Sequence, residues 1–390
     1  MGDLIHICNA NTTSKFNGGR VKAARCYRGM TTSELANSVN LKRQTISMYE
    51  NGKLENPELI NIKNISEALN FPVKFFLENG KIDIEESATY FRSLLTTSKK
   101  YRTEQEIKVG FISIIYKFLS DYIMFSPLNL PNIKHGTCPE EAANILREYW
   151  NLGKKPINNI VYLVEKNGMI VSDFSTSTGD VDAYSHKIET NDMKTFFIGY
   201  SKNKNTAARI HFDVAHELGH ILLHDWDEDL ENIDKSEFKQ IEQEANDFAA
   251  AFLLPEEEFR EDIAEYANQL AYYIELKKRW KVSIAAMVRR AYKLSIIDND
   301  DYQRLMRTMQ KKGIRKKEPL DDELVTSRPS LLKQSINLLL QEKVFSPLEL
   351  IDELSSEYGL SLYAKDIEDL LGLNKGTLEE KVPILNLKRR

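Results

Sequence analysis

Apolar positions along the N-terminal stretch recur at helical spacing. Thr31-Thr32-Ser33-Glu34 has the form of a capping box and predicts a helix that turns Leu35, Ala36 and Val39 inward. A short turn at Asn40 separates it from a second helix over Lys42–Gly52, with Ile46 and Tyr49 buried and Gly52 ending it. Asn56-Pro57 predicts the start of a third helix, through Ile62, Ile65 and Leu69, which closes a small bundle. The following stretch, 81–135, reads as helical connector. Its strongest pattern, Ile112, Ile115, Phe118, Leu119 and Tyr122, gives an amphipathic helix that packs internally or against a second copy of the chain, and the two prolines of Phe125–Pro131 end it.

Farther on the period changes. Pro139–Tyr149 and Ile157–Lys166 read as helices and Met169–Asp173 as a short strand. After a Ser/Thr-rich loop, Val181–Ser185 and Thr195–Ser201 read as further strands of a small sheet. Val214, Leu218, Ile221 and Leu222 restore the i, i+4, i+7, i+8 spacing of a buried helix face. Phe238, Ile241, Ala245, Phe248 and Phe252 then stripe a helix over Glu237–Leu254, which Pro255 closes. Helices continue through Trp280–Ala291, a basic run occupies Lys311–Lys317, and Leu331–Leu373 holds two or three amphipathic helices without assignable chemistry.

Length and charge narrow what such a chain can do. At 390 residues more than one domain is expected, and 42% hydrophobic with 28% charged residues is ordinary globular composition. The net charge of −5 gives no general attraction to nucleic acid, so DNA binding has to come from a local patch. Cys8, Cys26 and Cys138 are odd in number and widely spaced, which fits neither a disulfide framework nor a metal cluster and points to a reducing cytoplasm. No stretch reaches the ~18 apolar residues of a membrane span and no leader pattern opens the chain, so neither membrane insertion nor secretion is expected.

The chemistry concentrates in His216-Glu217-Leu218-Gly219-His220. Four residues apart on a helix, His216 and His220 share a face and can hold one tetrahedral zinc, while Glu217 stands where it can take a proton from a water that the metal activates. A third ligand is needed. His224 lies eight residues from His216, about 12 Å of helical rise, too far to share an ion with it, and is expected to pack or cap. Leu223 and Trp226 occupy the places where a metzincin would carry glycine and histidine. The helix over Glu237–Leu254 supplies the remaining carboxylates. Periodicity does not choose between Glu242 and Glu244, but Asn246 four residues beyond Glu242 suits a partner that orients a ligand, which favours Glu242.

Together with Glu-Gln-Glu-Ala-Asn-Asp-Phe-Ala-Ala-Ala-Phe-Leu-Leu-Pro at 242–255, this motif resembles the ImmA/IrrE family of metallopeptidases over roughly Pro139–Pro319. That family resembles the thermolysin-like zincins and is associated with cleavage of repressor or antirepressor partners. The resemblance implies that His216, His220 and Glu242 bind zinc and that Glu217 is the general base. In zincins an extended substrate pairs with an edge strand, for which Phe196–Tyr200 is the candidate. Tyr184, His186, Arg209 and His211 are available to stabilise an oxyanion, and nothing in the sequence ranks them.

The N-terminal helices carry a second chemistry. Two helices joined by a tight turn, the second bearing Lys42, Arg43, Gln44 and Ser47 on its outer face, are what a helix-turn-helix reader of double-stranded DNA requires. From Lys15 to Asn79 ten Lys/Arg stand against six Asp/Glu, a local excess of base in an acidic chain. Leu35-Ala36, Thr45-Ile46-Ser47, Tyr49-Glu50-Asn51-Gly52 and Pro57 resemble the XRE/Cro-type repressor family, and by its pattern Lys42, Arg43, Gln44 and Ser47 face an operator.

The expectation is a multidomain, mainly α protein: an all-α helix-turn-helix bundle over 15–80, a helical connector over 81–135, an α+β zincin-like (thermolysin-like) metallopeptidase domain over 136–320 and a helical C-terminal region over 321–390. It is expected to be a cytoplasmic DNA-binding regulator with a zinc endopeptidase that cuts a repressor or other regulatory protein. The competing reading is a repressor or antitoxin-like binding protein whose peptidase fold senses or sequesters a partner without cutting it. An intact Glu217 speaks against that reading, since a retired site needs no general base.

Overall fold

In the computed structural model of the chain, which describes residues 15–78, 89–91, 99–174, 183–190, 193–202, 206–225 and 234–380, two compact units appear. One holds the described residues of 15–78, 99–124 and 332–380. The other holds 89–91 and the described part of 125–331.

The first unit opens with α1 (Gly18–Tyr27), α2 (Thr32–Ser38), α3 (Arg43–Glu50) and α4 (Leu59–Leu69), followed by a 3-10 turn at Val73–Leu77. The capping box of α2 forms in both directions: Glu34 N–H donates to Thr31 Oγ1 (3.2 Å) and Thr31 N–H donates to Glu34 Oε2 (2.6 Å). Asn40 takes the left-handed conformation (φ 53°) that lets α2 turn sharply into α3. Helix α4 begins two residues after Pro57, with Glu58 as its N-cap residue and no side-chain cap. Helix α1 runs tight against the end of α3: a Cβ on Gly18 would lie 1.7 Å from the Tyr49 carbonyl oxygen, so only glycine fits there.

This unit's core is aromatic. Tyr27, Phe71, Phe75 and Phe111 meet with ring centroids 4.6–6.2 Å apart, Phe111 coming from α5 (Lys99–Ser120). Ile112, Ile115, Phe118 and Leu119 of α5 are buried as their spacing predicts, while Tyr122, beyond its end, stays 42% exposed. The C-terminal helices complete the same unit. Phe118 packs on Phe345 and Tyr358, Arg28 makes a bidentate pair with Asp366 (2.6 and 2.8 Å), and Ser361 donates to Glu78. The described residues of 332–380 thus pack with the N-terminal helices and α5 in one unit.

In the second unit, α6 (Pro139–Tyr149), α7 (Ile160–Lys166), α8 (Ala207–Leu223) and α9 (Lys235–Leu253) pack with a four-stranded sheet, and α10 (Glu256–Ile263), α11 (Leu270–Trp280), α12 (Ile284–Lys293) and α13 (Asn299–Lys311) extend the helical layer. The strands β1 (Thr89–Phe91), β2 (Ile170–Phe174), β3 (Ala183–Thr190) and β4 (Met193–Ser201) lie in the order β1-β3-β4-β2, with β2 parallel to β4 and the other pairs antiparallel. Two expectations are corrected here. Strand β4, which holds Phe196–Tyr200, is interior, since Phe197 pairs with Ile170 on one side and His186 on the other. Strand β1 falls in the stretch expected to be helical, and it takes the outer edge of β3. One face of the sheet, with Val171, Ala183, Phe196, Ile198 and Tyr200, joins Val214, Leu218, Phe248, Phe252, Trp280, Met287 and Met309 in a single core.

Candidate metal centre

Helix α8 positions the site because Thr206 caps its start and Ile210, Val214, Leu218 and Ile221 bury one side of it. His216, Glu217 and His220 are then enclosed as well, at 0%, 0% and 1% exposure. Helix α9 approaches closely beside Gly219, where an added Cβ would stand 3.0 Å from Ala245 Cα and 3.2 Å from Phe248 Cδ1. The glycine of the motif therefore sets how near α9 can come, and with it how near Glu242 can come.

Glu242 is brought to the two histidines. Its carboxylate oxygens lie 3.3 Å from His220 Nε2 and 3.6 Å from His216 Nε2, and the two Nε2 atoms are 3.0 Å apart. Three donors bound at about 2.0–2.1 Å around a tetrahedral centre would be spaced by roughly 3.3 Å, and the observed spacings bracket that value. His216, His220 and Glu242 are the group of side chains, among the described residues, that could hold a metal ion. Two imidazole nitrogens and one carboxylate oxygen are a donor set suited to a borderline cation such as zinc.

Asn246 has a different task from the one its spacing suggested. Its amide donates to the backbone carbonyl of Glu242 (2.6 Å) and so secures the helix rather than the carboxylate. Glu244, the alternative third ligand, points to His224, with Oε2 3.3 Å from Nε2. His224 sits at the C-cap of α8, and its Nδ1 lies 3.0 Å from His220 Nδ1. Burial, with His220 and His135 nearby, pushes the His224 pKa down to about 3, so the ring is neutral.

A residue absent from the sequence reasoning also enters the site. Ser185 of β3 donates its hydroxyl to Glu217 Oε2 at 2.6 Å. Alternation along a strand then puts Tyr184 and His186 on the opposite face of the sheet, where Tyr184 packs against Phe174 and Phe197. That signal was present in the sequence, but it could be used only once the strand's orientation was known. His211 bonds Thr326 through Nε2 (3.0 Å), and Arg209 lies 3.6 Å from Asp213. The backbone partner of Ser185 is Tyr90 of β1, so the sheet edge beside the site is occupied by the chain itself.

In the first unit, Lys42, Arg43 and Gln44 stand exposed at the N-terminal end of α3 and Ser47 is partly buried, its Oγ 3.3 Å from the Asn51 amide. The local excess of base is smaller at the surface than the residue count suggests, since Arg20, Arg25 and Arg28 pair with Glu78, Glu50 and Asp366. Lys42 and Arg43 have no acidic partner among the described residues, which leaves their charge facing outward.

A helix-turn-helix bundle and a domain with a His/His/Glu cluster thus share one chain. Residues 21–76 match the family model described as Helix-turn-helix, and residues 165–292 match that described as IrrE N-terminal-like domain, peptidase M78. The protein is a mainly α, multidomain chain in which a helix-turn-helix domain precedes an M78 domain, a combination that supports a DNA-binding regulator. M78 peptidases are generally metallopeptidases. None of the curated proteins compared matches the chain. Among the described residues, no helix is long and apolar enough to cross a membrane.

Proposed function

We propose that this protein is a cytoplasmic transcriptional regulator that binds an operator through α3 and cuts a repressor or other regulatory protein with a zinc endopeptidase site. The observation that carries the reading is the convergence of His216, His220 and Glu242 beside a buried Glu217. His216, His220 and Glu242 hold the zinc, which when bound supplies a Lewis acid for the scissile carbonyl. Glu217 accepts the proton of the attacking water on its carboxylate and passes it to the leaving amine nitrogen. Ser185, through its 2.6 Å hydrogen bond, fixes the orientation of that carboxylate. An extended substrate meets the sheet at the outer edge of β1, since Tyr90 of β1 already pairs with Ser185, rather than at the interior strand β4. On the DNA side, Lys42 and Arg43 contact phosphates or base edges, and Gln44 and Ser47 stand beside them on the same helix, with a second copy of the chain bound at a symmetric operator.

The test compares the proteome of the native host with that of a Glu217→Gln strain, alongside metal analysis of both purified proteins. The expected result is about one zinc per chain in each protein and a regulatory protein that persists uncut only in the variant. Equal turnover of every regulator in the two strains, with zinc bound in both, overturns the cleavage reading. Genome-wide footprinting of both strains examines the DNA reading, and no protected site under any growth condition overturns that part.

A further inference from the structure

The two side chains set aside as third ligands, His224 and Glu244, touch each other, and His224 touches His220. We propose that Glu244 and His224 form a relay that fixes the tautomer and orientation of His220 and so tunes metal affinity at the proposed site. The inference rests on the metal-binding reading above. A histidine that offers its Nε2 lone pair to a cation carries its proton on Nδ1. In His220 that Nδ1 lies 3.0 Å from Nδ1 of His224, which must then accept and keep its own proton on Nε2. His224 Nε2 in turn lies 3.3 Å from Glu244 Oε2, and an ionised carboxylate accepts but cannot donate.

Both ends of the chain therefore dictate the same direction of donation. The metal end requires the His220 proton on Nδ1, and the carboxylate end requires the His224 proton on Nε2. A reversed relay would set the Nε2 lone pair of His224 against a lone pair of Glu244 Oε2, with no proton between them. Gln240 reinforces the far end by donating its amide to Glu244 Oε1 at 2.9 Å. The rings of His216, His220 and His224 follow one another along α8, with centroids 4.6 and 5.0 Å apart, so the helix itself sets the spacing of the relay. Thus His224 and Glu244 are positioning residues that act through His220.

Nitrogen NMR of the full chain, 15N-labelled on histidine and prepared without metal, reads the tautomers, and competition with a zinc indicator reads affinity. In the wild type, His220 is expected in the Nδ1–H form and His224 in the Nε2–H form. His224→Leu should release the preference of His220 and weaken zinc binding by roughly tenfold to a hundredfold, the range seen when outer partners of metal-bound histidines are lost. Glu244→Ala should weaken it in the same direction, and Glu244→Gln by less, because the amide oxygen still accepts. The Glu244 side chain is 35% exposed, against 6% for His224, so its variants keep the relay testable if His224→Leu fails to fold. An Nε2–H form of His220 in the wild type, or zinc affinity unchanged within twofold in both Glu244→Ala and a folded His224→Leu, overturns the relay. Wild-type protein that binds no zinc overturns the metal reading instead, and the tautomers then decide the relay alone.

Discussion

The two units place their chemistry in opposite surroundings. In the helix-turn-helix unit, Lys42, Arg43 and Gln44 stand in solvent at a helix end, whereas His216, Glu217 and His220 of the other unit are sealed in a core. The first kind of site works through charge at a distance, is screened by salt and tolerates small displacements. The second depends on donor spacings of a few ångströms held by packed helices, so it responds to changes that never touch a ligand. Damage to one is therefore expected to leave the other intact, and the strongest way to break the comparison is to look for crosstalk.

The largest expected effect is that of Glu217→Gln. Removing a general base while keeping its shape should lower peptide cleavage by about 10²–10⁴-fold. Zinc content and operator affinity should stay at wild-type values. Loss of operator binding in this variant, measured by fluorescence anisotropy on the footprinted site, would show that the two units do not work separately.

Acid should separate the units next. Six of the seven histidines, all but His6, lie in 125–331, as do all three tryptophans, Trp150, Trp226 and Trp280. Burial holds His186 down at about 4, and burial with Lys281 nearby holds His211 at about 3. Both folded-state values lie below the unfolded reference of about 6.5, so below that pH the unfolded chain takes up protons that the folded chain refuses. The stability they contribute is complete above about pH 6.5 and is lost as pH falls toward 4 for His186 and 3 for His211, at about 1 kcal/mol per pH unit for each. Tryptophan fluorescence in denaturant titrations at pH 7, 6 and 5 should show the midpoint falling, and His186→Phe should flatten that slope. A midpoint independent of pH would mean that neither ring is kept neutral by its surroundings.

How much of this was legible in the sequence follows from the range of the interactions. Helix α6 has the predicted bounds because its signals are local: Pro139 at the first position and Ala142, Ala143 and Leu146 on one face. Spacing likewise put His216 and His220 on one face. The pairing of β4 was hidden, because an interior strand and an edge strand can carry the same short apolar run and only distant partners distinguish them. The attachment of 332–380 to the first unit was hidden for the same reason, since the Arg28–Asp366 pair spans 338 residues and no local spacing links its members. The spacing of Asn246 from Glu242 predicts a contact with the carboxylate, yet the Asn246 amide binds the Glu242 carbonyl, because at i+4 on a helix the backbone oxygen is the nearer acceptor.

On the exposed side, Arg43→Ala should weaken operator binding by roughly 1–3 kcal/mol if Arg43 reads a base. If it holds a phosphate instead, binding should weaken about evenly across sequences and the salt slope should fall by about one. Anisotropy titrations from 50 to 200 mM salt distinguish the two. Unchanged affinity and slope would remove Arg43 from the interface, and zinc content should not move in any case.

The smallest expected effect examines the enclosed site most finely. Gly219→Ala adds a single methyl where α8 and α9 meet, 3.0 Å from the Ala245 Cα and 3.2 Å from Phe248 Cδ1. Two effects oppose each other. Alanine is the better helix former by about 1 kcal/mol, whereas overpacking a close contact costs about 1–3 kcal/mol. The nearest atom belongs to the backbone of α9, which cannot rotate away as a side chain can, so the packing cost should win and stability should fall slightly. Relief requires α9 to shift outward by a few tenths of an ångström. Glu242 lies on that helix three residues before Ala245, and its 3.3 and 3.6 Å approaches to the histidines would lengthen with it. Zinc affinity measured by indicator competition should therefore drop several-fold, with operator binding unchanged. A more stable variant with undiminished zinc affinity would show that α9 has slack at this contact, and that the spacing of the site is set elsewhere.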